Sequence, residues 1–455
     1  MMGQLAAHGH ELTSHPADAE VLVVNTCSFI DPAKKESIDT ILEMAEYKKT
    51  GRAKRLIVAG CLVERYRGEI ARDLPEVDAV VGTNEIEKIV SACEGVQPET
   101  ATTSPEPALY LYHDLTPRVL STPRHFAYIK IAEGCDHPCS FCVIPQYRGK
   151  FRSRRFESVI GEATRLLGQG VRELNLIGQD TTCYGEDLGL KDGLAHLLAR
   201  LAQIEAPQAK WIRFLYAYPN KITQKLLDTI AAHESLVKYI DMPLQHASAS
   251  VLKRMKRGAS GDIFLKLIER IRRTIPNVAI RTSFIVGFPG ETQGDFEELC
   301  EFVKAARFDR LGVFAYSDED TSGSYNLDGK ADGRTISNRK RRLMAIQRKI
   351  SRSVNRAMVG RQTPVLVEGR SPDTDMLWQA RMATQAPEID GSVLINDFDG
   401  DEPRPGQMRL LRITEAHDYD LLGTLLPLTE PLARVTYDGL INISLPAPTQ
   451  AAVHP

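Results

Sequence analysis

The sequence predicts an α/β protein in three parts: a small parallel α/β domain, a partial barrel of six strand-helix units, and a small β-barrel of the oligonucleotide-binding type. Three observations carry this. Two β-branched runs near the N-terminus flank a helix-like stretch, the alternation that strings a parallel sheet. Six strand-like runs then alternate with amphipathic helices between residues 125 and 333. Five short strand-like runs, separated by Gly, Pro and Asp, follow.

The 455 residues are 43% hydrophobic and 25% charged with a net charge of −2, which suits a chain with several buried cores and names no partner. No apolar run approaches the ~18 residues of a membrane span, and the N-terminus lacks a basic flank before an apolar stretch, so a cytoplasmic location without membrane contact is expected. Eight cysteines at uneven spacing, three of them in one loop, fit metal ligation in a reducing compartment better than a disulfide framework.

Residues 1–105 form the first part. Met2 to Leu12 has helical spacing. Val21 to Cys27 and Arg55 to Cys61 are short buried strands, each ending in a thiol, and Asp31-Pro32 opens a helix between them. A lone cysteine ending a strand is usually core filler, whereas two at equivalent strand ends favour ligands. Cys93 lies in a helical pattern and reads as buried. Residues 106–124, with their prolines, read as a linker.

In residues 125–333, Phe126 to Ala132 alternates as a strand and leads into Gly134-Cys-Asp-His-Pro-Cys-Ser-Phe-Cys142, three cysteines at C-x3-C-x2-C spacing. Three thiolates in one loop can hold three corners of a four-iron, four-sulfur cluster and leave the fourth iron open. A structural zinc on Cys135, Cys139, Cys142 and His137 is the alternative, although zinc motifs usually come as two separated pairs. The other strands are Glu173 to Gly178, Trp211 to Tyr216, Tyr239 to Met242, Ala279 to Val286 and Arg310 to Phe314. Gln179-Asp180-Thr181 follows the second strand and Gly287-Phe-Pro-Gly290 the fifth, at the end where barrel chemistry collects. Alone, the Gly287 turn would be an ordinary βα turn. Cys183 and Cys300 read as bystanders.

The three-cysteine loop, with Phe141 before its last cysteine, resembles the radical S-adenosylmethionine enzymes. Asn25-Thr-Cys27, Gly60-Cys61-Leu and Glu133-Gly-Cys135 narrow the resemblance to the methylthiotransferases of that superfamily. Asp241-Met-Pro-Leu-Gln-His246, Arg281 to Gly287 and Ala386-Pro-Glu-Ile-Asp-Gly391 resemble the branch acting on ribosomal protein S-twelve. His246 marks that branch and is either a base or a wall residue. The resemblance implies a partial (β/α)6 radical-SAM barrel followed by a TRAM domain. It also implies two 4Fe-4S clusters, one on Cys135, Cys139 and Cys142 and an auxiliary one on Cys27 and Cys61, with Phe141, Gln179, Ser283 and Gly287 at the S-adenosylmethionine site. A third auxiliary ligand belongs to a strand that would lie before Met1, so a displaced start or an incomplete auxiliary cluster is expected. The implied reaction abstracts hydrogen from the β-carbon of an aspartate in S-twelve, or in S-twelve within the small ribosomal subunit, and installs a methylthio group there. Electrons would come from a donor such as flavodoxin or ferredoxin.

Residues 334–362 read as a long basic helix, either a solvated connector or a contact for ribosomal RNA. The final barrel, residues 363–428, carries twelve acids against five arginines, a net −7 that would attract a basic ribosomal protein and repel tRNA. Residues 429–455 read as a disordered tail. Two rival functions stay open at this stage: tRNA-adenosine methylthiolation, and a non-enzymatic metal-binding scaffold on the ribosome.

Overall fold

A computed structural model describes residues 1–96 and 110–427. The expected tail and residues 106–109 of the linker lie outside that range, and residues 110–124 form no helix or strand. The first helix, α1 (Met2–Ala7), stops five residues before the expected Leu12. A parallel sheet of β1 (Val21–Thr26), β2 (Arg55–Gly60) and β3 (Ala79–Val81) follows, with α2 (Asp31–Thr50), α3 (Cys61–Asp73) and α4 (Ile89–Glu94) around it. The central strand β2 is covered on both faces. Leu22, Val24, Leu56 and Val58 pack with Ile41 and Ala45 of α2, while Ile57, Ala59 and Val81 pack with Leu5, Ile89 and Cys93. Strands buried on both sides read as apolar runs without alternation. Three residues are too few for a run, so β3 escapes the sequence reading.

The six expected barrel strands are β4 (Phe126–Lys130), β7 (Glu173–Ile177), β8 (Trp211–Phe214), β9 (Tyr239–Asp241), β10 (Ala279–Val286) and β11 (Arg310–Ala315), all parallel within two three-stranded sheets ordered β4-β7-β8 and β9-β10-β11. The sheets meet where the Ala217 N–H donates to Asp241 O at 2.8 Å. A short antiparallel ribbon, β5 (Ala132–Glu133) with β6 (Arg152–Ser153), brackets the three-cysteine loop and α5 (Ile144–Arg148). Helices α6 (Phe156–Gly168), α7 (Gly193–Ala202), α8 (Gln224–Ala232), α9 (Ala249–Arg254), α10 (Gly261–Thr274) and α11 (Gln293–Ala306) cover the outside. Alternate strand residues such as Leu174, Leu176, Ile212, Phe214, Ile280 and Phe284 form one core with them. The other alternates, including Asn175, Arg213, Asp241, Arg281 and Ser283, are left for the inner face.

Helix α12 (Gly333–Arg356) ends six residues before the expected 362, with Asp332 capping it through Thr335 N at 3.0 Å. It is more than a solvated connector, because Arg339, Leu343, Gln347, Ile350 and Asn355 are buried along one face. The C-terminal strands β12 (Gln362–Ser371), β13 (Thr374–Met382), β14 (Val393–Phe398), β15 (Met408–Ala416) and β16 (Leu421–Leu425) close into a barrel ordered β12-β13-β14-β16-β15. The segment after β13 seats against the partial barrel, with Ala383, Ala386, Leu366 and Met408 packed on Trp211, Leu215 and Tyr239. Charge crosses this contact. Glu173 takes Arg213 at 3.0 Å and Arg381 at 2.6 Å, and Arg381 also holds Glu368 at 2.6 Å.

Candidate active site

Gly134 turns the chain from β5 into the cysteine loop with φ +80°, and a Cβ there would lie 2.2 Å from Lys150 O, so only glycine fits. The loop is then pinned on three sides. Cys135 N–H donates to Gly149 O at 3.2 Å. Ser140 donates through its N–H to Met255 O (3.1 Å) and through its hydroxyl to Arg254 O (2.8 Å). His137 Nε2 lies 2.6 Å from Asp180 Oδ2, and its ring stacks on Tyr218 with centroids 3.7 Å apart.

The three thiols are half-buried around a cavity of about 590 Å³, lined also by His137, Lys150 and Lys256. Burial pushes the Cys135 thiol up to about 11 and the Cys142 thiol up to about 12, so each needs a cation to become a thiolate at neutral pH. Tetrahedral zinc would hold thiolates about 3.8 Å apart, given Zn–S bonds of ~2.3 Å. Among the described residues the one set of three or more His, Cys, Asp or Glu ligand atoms lying within 4.8 Å of one another is His137, Asp180 and Cys183, so the loop thiols are spread wider than one ion's tetrahedron. The wider spacing suits a multi-iron cluster.

The other expected residues divide. Phe141 packs on the barrel core. Gln179 Oε1 is buried without a hydrogen-bond partner, an acceptor waiting for a donor. Ser283 and Gly287 stand in the other three-stranded sheet, on the inner face and at the end of β10. Gly287 has φ +80°, and a Cβ would strike Ile336 Cγ1 at 2.4 Å. Its N–H and that of Phe288 (3.1 Å) both donate to the buried carboxylate of Glu291. His246 is buried, accepts the Ser248 N–H on Nδ1 at 3.0 Å, and sits 3.8 Å from Glu291.

Cys27 and Cys61 leave the ends of adjacent strands, since Thr26 pairs with Gly60. Cys27 is exposed and Cys61 half-buried. Burial raises the Cys61 thiol, and Arg148 draws it part of the way back by donating to Sγ at 3.2 Å. The same guanidinium holds Glu133 at 2.9 Å, and Arg148 closes the helix that begins two residues after Cys142. The sequence reading missed it, because nothing local distinguishes this arginine from a surface one. No third His, Cys, Asp or Glu joins Cys27 and Cys61 within 4.8 Å among the described residues. Cys93 and Cys300 are buried, while Cys183 donates to Asp180 at 3.0 Å and so belongs to the loop's anchor. A latch fixes the two parts: Glu319, after β11, accepts from Arg65 at 2.7 Å and from Lys34 at 2.9 Å, and the Arg65 and Glu319 side chains are each 2% exposed.

Residues 129–303 match the profile of the Radical SAM superfamily, residues 1–82 that of the uncharacterized protein family UPF0004, and residues 359–426 that of the TRAM domain. A protein described as ribosomal protein uS12 methylthiotransferase RimO, from Solibacter usitatus, is 78% identical over 97% of this chain and 95% of its own length. One of the same description from Koribacter versatilis is 57% identical over 94% of this chain and 93% of its own. Among solved structures, the radical S-adenosylmethionine methyltransferase TsrM from Kitasatospora setae superposes with TM-score 0.51 at 14% identity, covering 66% of this chain and 64% of TsrM, a likeness of fold.

Proposed function

Since the chain belongs to the family of ribosomal protein uS12 methylthiotransferases, we propose that it installs a methylthio group on the β-carbon of an aspartate in ribosomal protein S-twelve, using S-adenosylmethionine and two 4Fe-4S clusters. The loop's three thiols fit the first of those clusters, while Cys27 and Cys61 offer two of the thiolates that the auxiliary cluster needs. Cys135, Cys139 and Cys142 would hold the cluster that takes S-adenosylmethionine, with Phe141 packed beside it. The orphaned Gln179 Oε1 would accept from the methionyl ammonium, and Ser283 and Gly287 would border the adenosine. Cys27 and Cys61 would hold the auxiliary cluster. When bound, these groups supply a carbon radical and a methylthio group, chemistry that belongs to the cofactors.

The protein's own residues position these groups and offset their charge. Arg257 Nη1, 3.7 Å from Cys139 Sγ, and Arg148, on Cys61, offset thiolate charge. The Arg65–Glu319 latch holds the N-terminal domain against the segment that follows the last barrel strand. The observation that carries the reading is Arg148: one guanidinium, on the helix leaving the three-cysteine loop, donates to the N-terminal thiol of Cys61. Two cofactor sites that must exchange a group are thereby neighbours.

In the same reading the enzyme works in the cytoplasm, with a small one-electron carrier such as flavodoxin or ferredoxin as its reductant. Among the described residues the exposed cations of α12 without an acidic partner are Arg334, Lys340, Arg341, Lys349 and Arg356, and these would meet ribosomal RNA; Arg339 is buried against Glu291, Arg342 holds Glu297, and Arg348 and Arg352 hold Asp418. Among the described residues no helix is long and apolar enough to cross a membrane.

Anaerobic reconstitution with iron and sulfide, followed by mass spectrometry of S-twelve, tests the proposal. About eight irons in the parent and about four in a Cys135→Ala, Cys139→Ala, Cys142→Ala variant would mean that both clusters form, whereas about four and none would mean that the auxiliary one does not. S-twelve should gain one CH2S unit with the parent alone. Unmodified S-twelve beside methylthiolated tRNA would refute the reading.

A further inference from the structure

A bulky aromatic in the left-handed region is an outlier of the backbone map. Several of the non-glycine residues with positive φ sit at helix ends, as Asp192 and Arg307 do. Tyr216 (φ 63°) and Gln245 (φ 72°) differ in standing just past the C-terminal ends of neighbouring barrel strands, β8 and β9. Strain of this kind persists where the surroundings enforce it, and it collects at functional sites.

The surroundings of Tyr216 do enforce it. Its N–H donates to Asp241 Oδ2 at 3.0 Å and its carbonyl accepts the Thr181 N–H at 3.1 Å. On one side Leu215 O accepts from Thr181 Oγ1 at 2.7 Å, and on the other Ala217 N–H donates to Asp241 O at 2.8 Å. Asp241 is itself buried and fixed by Arg281 at 2.7 Å. The twist sets the direction of the side chain. Phe214, Leu215 and Ala217 are at most 3% exposed, yet Tyr216 between them is 44% exposed. Two residues on, Tyr218 stacks on His137 of the cysteine loop. The Tyr216 phenol has Asp241 and Arg281 as its charged neighbours and stands two residues from the ring that holds the cysteine loop.

We propose that Tyr216 is a substrate-contact residue, its phenol donating a hydrogen bond to the side-chain carboxylate of the target aspartate of S-twelve. The assignment rests on the function proposed above. Arg281 is already taken up by two carboxylates, Asp241 at 2.7 Å and Asp390 at 3.7 Å, so the donor left for an incoming carboxylate is the neutral phenol. Burial, and then the Asp241 carboxylate, raise the phenol above its ordinary value and keep it a donor at neutral pH.

The test uses the reconstituted full chain with S-twelve and compares Tyr216→Phe and Tyr216→Gly with the parent. Tyr216→Phe keeps the ring and the backbone and should raise KM for S-twelve about 10- to 100-fold, the worth of one hydrogen bond to a charged group. Tyr216→Gly also removes the side chain from a left-handed position. It should raise that KM at least as much while Tm stays level or rises, which a packing role would not allow. KM for S-adenosylmethionine should hold in both. With an active parent, parental KM for S-twelve in both variants overturns the assignment alone, as does a lower Tm in Tyr216→Gly or a KM for S-adenosylmethionine that rises in step. An inactive parent overturns the assignment together with the function it rests on.

Discussion

The C-terminal barrel should come away from the partial barrel when Arg381 is replaced by methionine. Arg381 is 2% exposed and spends its guanidinium on three acceptors: Glu173 at 2.6 Å, Glu368 at 2.6 Å and Gln385 O at 3.0 Å. Hydrogen bonds to charged groups contribute about 1.5–3 kcal/mol each. Breaking a buried pair by removing one partner costs about 3–5 kcal/mol, because a charge stays behind. Glu173 keeps Arg213 at 3.0 Å, so the expected loss lies near the low end, about 3 kcal/mol. Without Arg381 the group holds two carboxylates and one arginine. Adding Glu368→Gln restores neutrality, so the double variant should recover at least half of the loss. Urea titration followed by circular dichroism reads this as an early transition that appears in Arg381→Met and retreats in the double variant. Acid supplies an independent check. Burial alone would raise the Glu173 carboxyl, but Arg381 and Arg213 outweigh it and the net shift is downward; Glu368 is lowered likewise against burial, by His125 and Arg381. A carboxyl depressed in the folded state contributes stability that is fully present above its unfolded value of about 4.3 and is lost as pH falls through the folded value. Docking should therefore weaken below about pH 4 in the parent and at higher pH in Arg381→Met. An Arg381→Met protein within about 1 kcal/mol of the parent, or a double variant no better than the single, would refute the reasoning.

Two more outcomes follow from the geometry. Gly287→Ala forces a Cβ to 2.4 Å from Ile336 and into a left-handed backbone, so it should cost about 2–4 kcal/mol and weaken S-adenosylmethionine binding in equilibrium dialysis; Ile336→Ala should relieve the clash without curing the backbone strain. Glu319→Gln leaves Arg65 and Lys34 without their shared carboxylate, so limited proteolysis should cut between the N-terminal domain and the barrel at least about tenfold faster, and methylthiolation should fall with it.

Much of this was legible because it is local. The C-x3-C-x2-C spacing, the alternation in Phe126–Lys130 and Ala279–Val286, and the run of short C-terminal strands each lie within a few residues. What escaped depends on residues that meet only after folding. Arg148 reaches Cys61 across 87 positions, Arg381 reaches Glu173 across 208, and Arg65 reaches Glu319 across 254. A basic helix likewise reads as uniformly charged until packing decides which face turns inward, as it does at Arg339. The left-handed Tyr216 leaves no trace in composition at all, since tyrosine after an apolar strand is what any strand end could carry.

The ring closure of the C-terminal domain limits how it can greet another molecule. With β12 paired to both β13 and β15, and β14 to β16, the sheet has no open edge onto which a visiting peptide could add a strand. Encounter must then run through side chains and turns, where acids outnumber bases. Forces of that sort act over a distance set by dissolved salt, about 8 Å at physiological strength. The meeting with a cationic protein should thus be quick in dilute buffer and sluggish in brine, while the turnover that follows, run at the cysteine loop of the other barrel, should hardly notice.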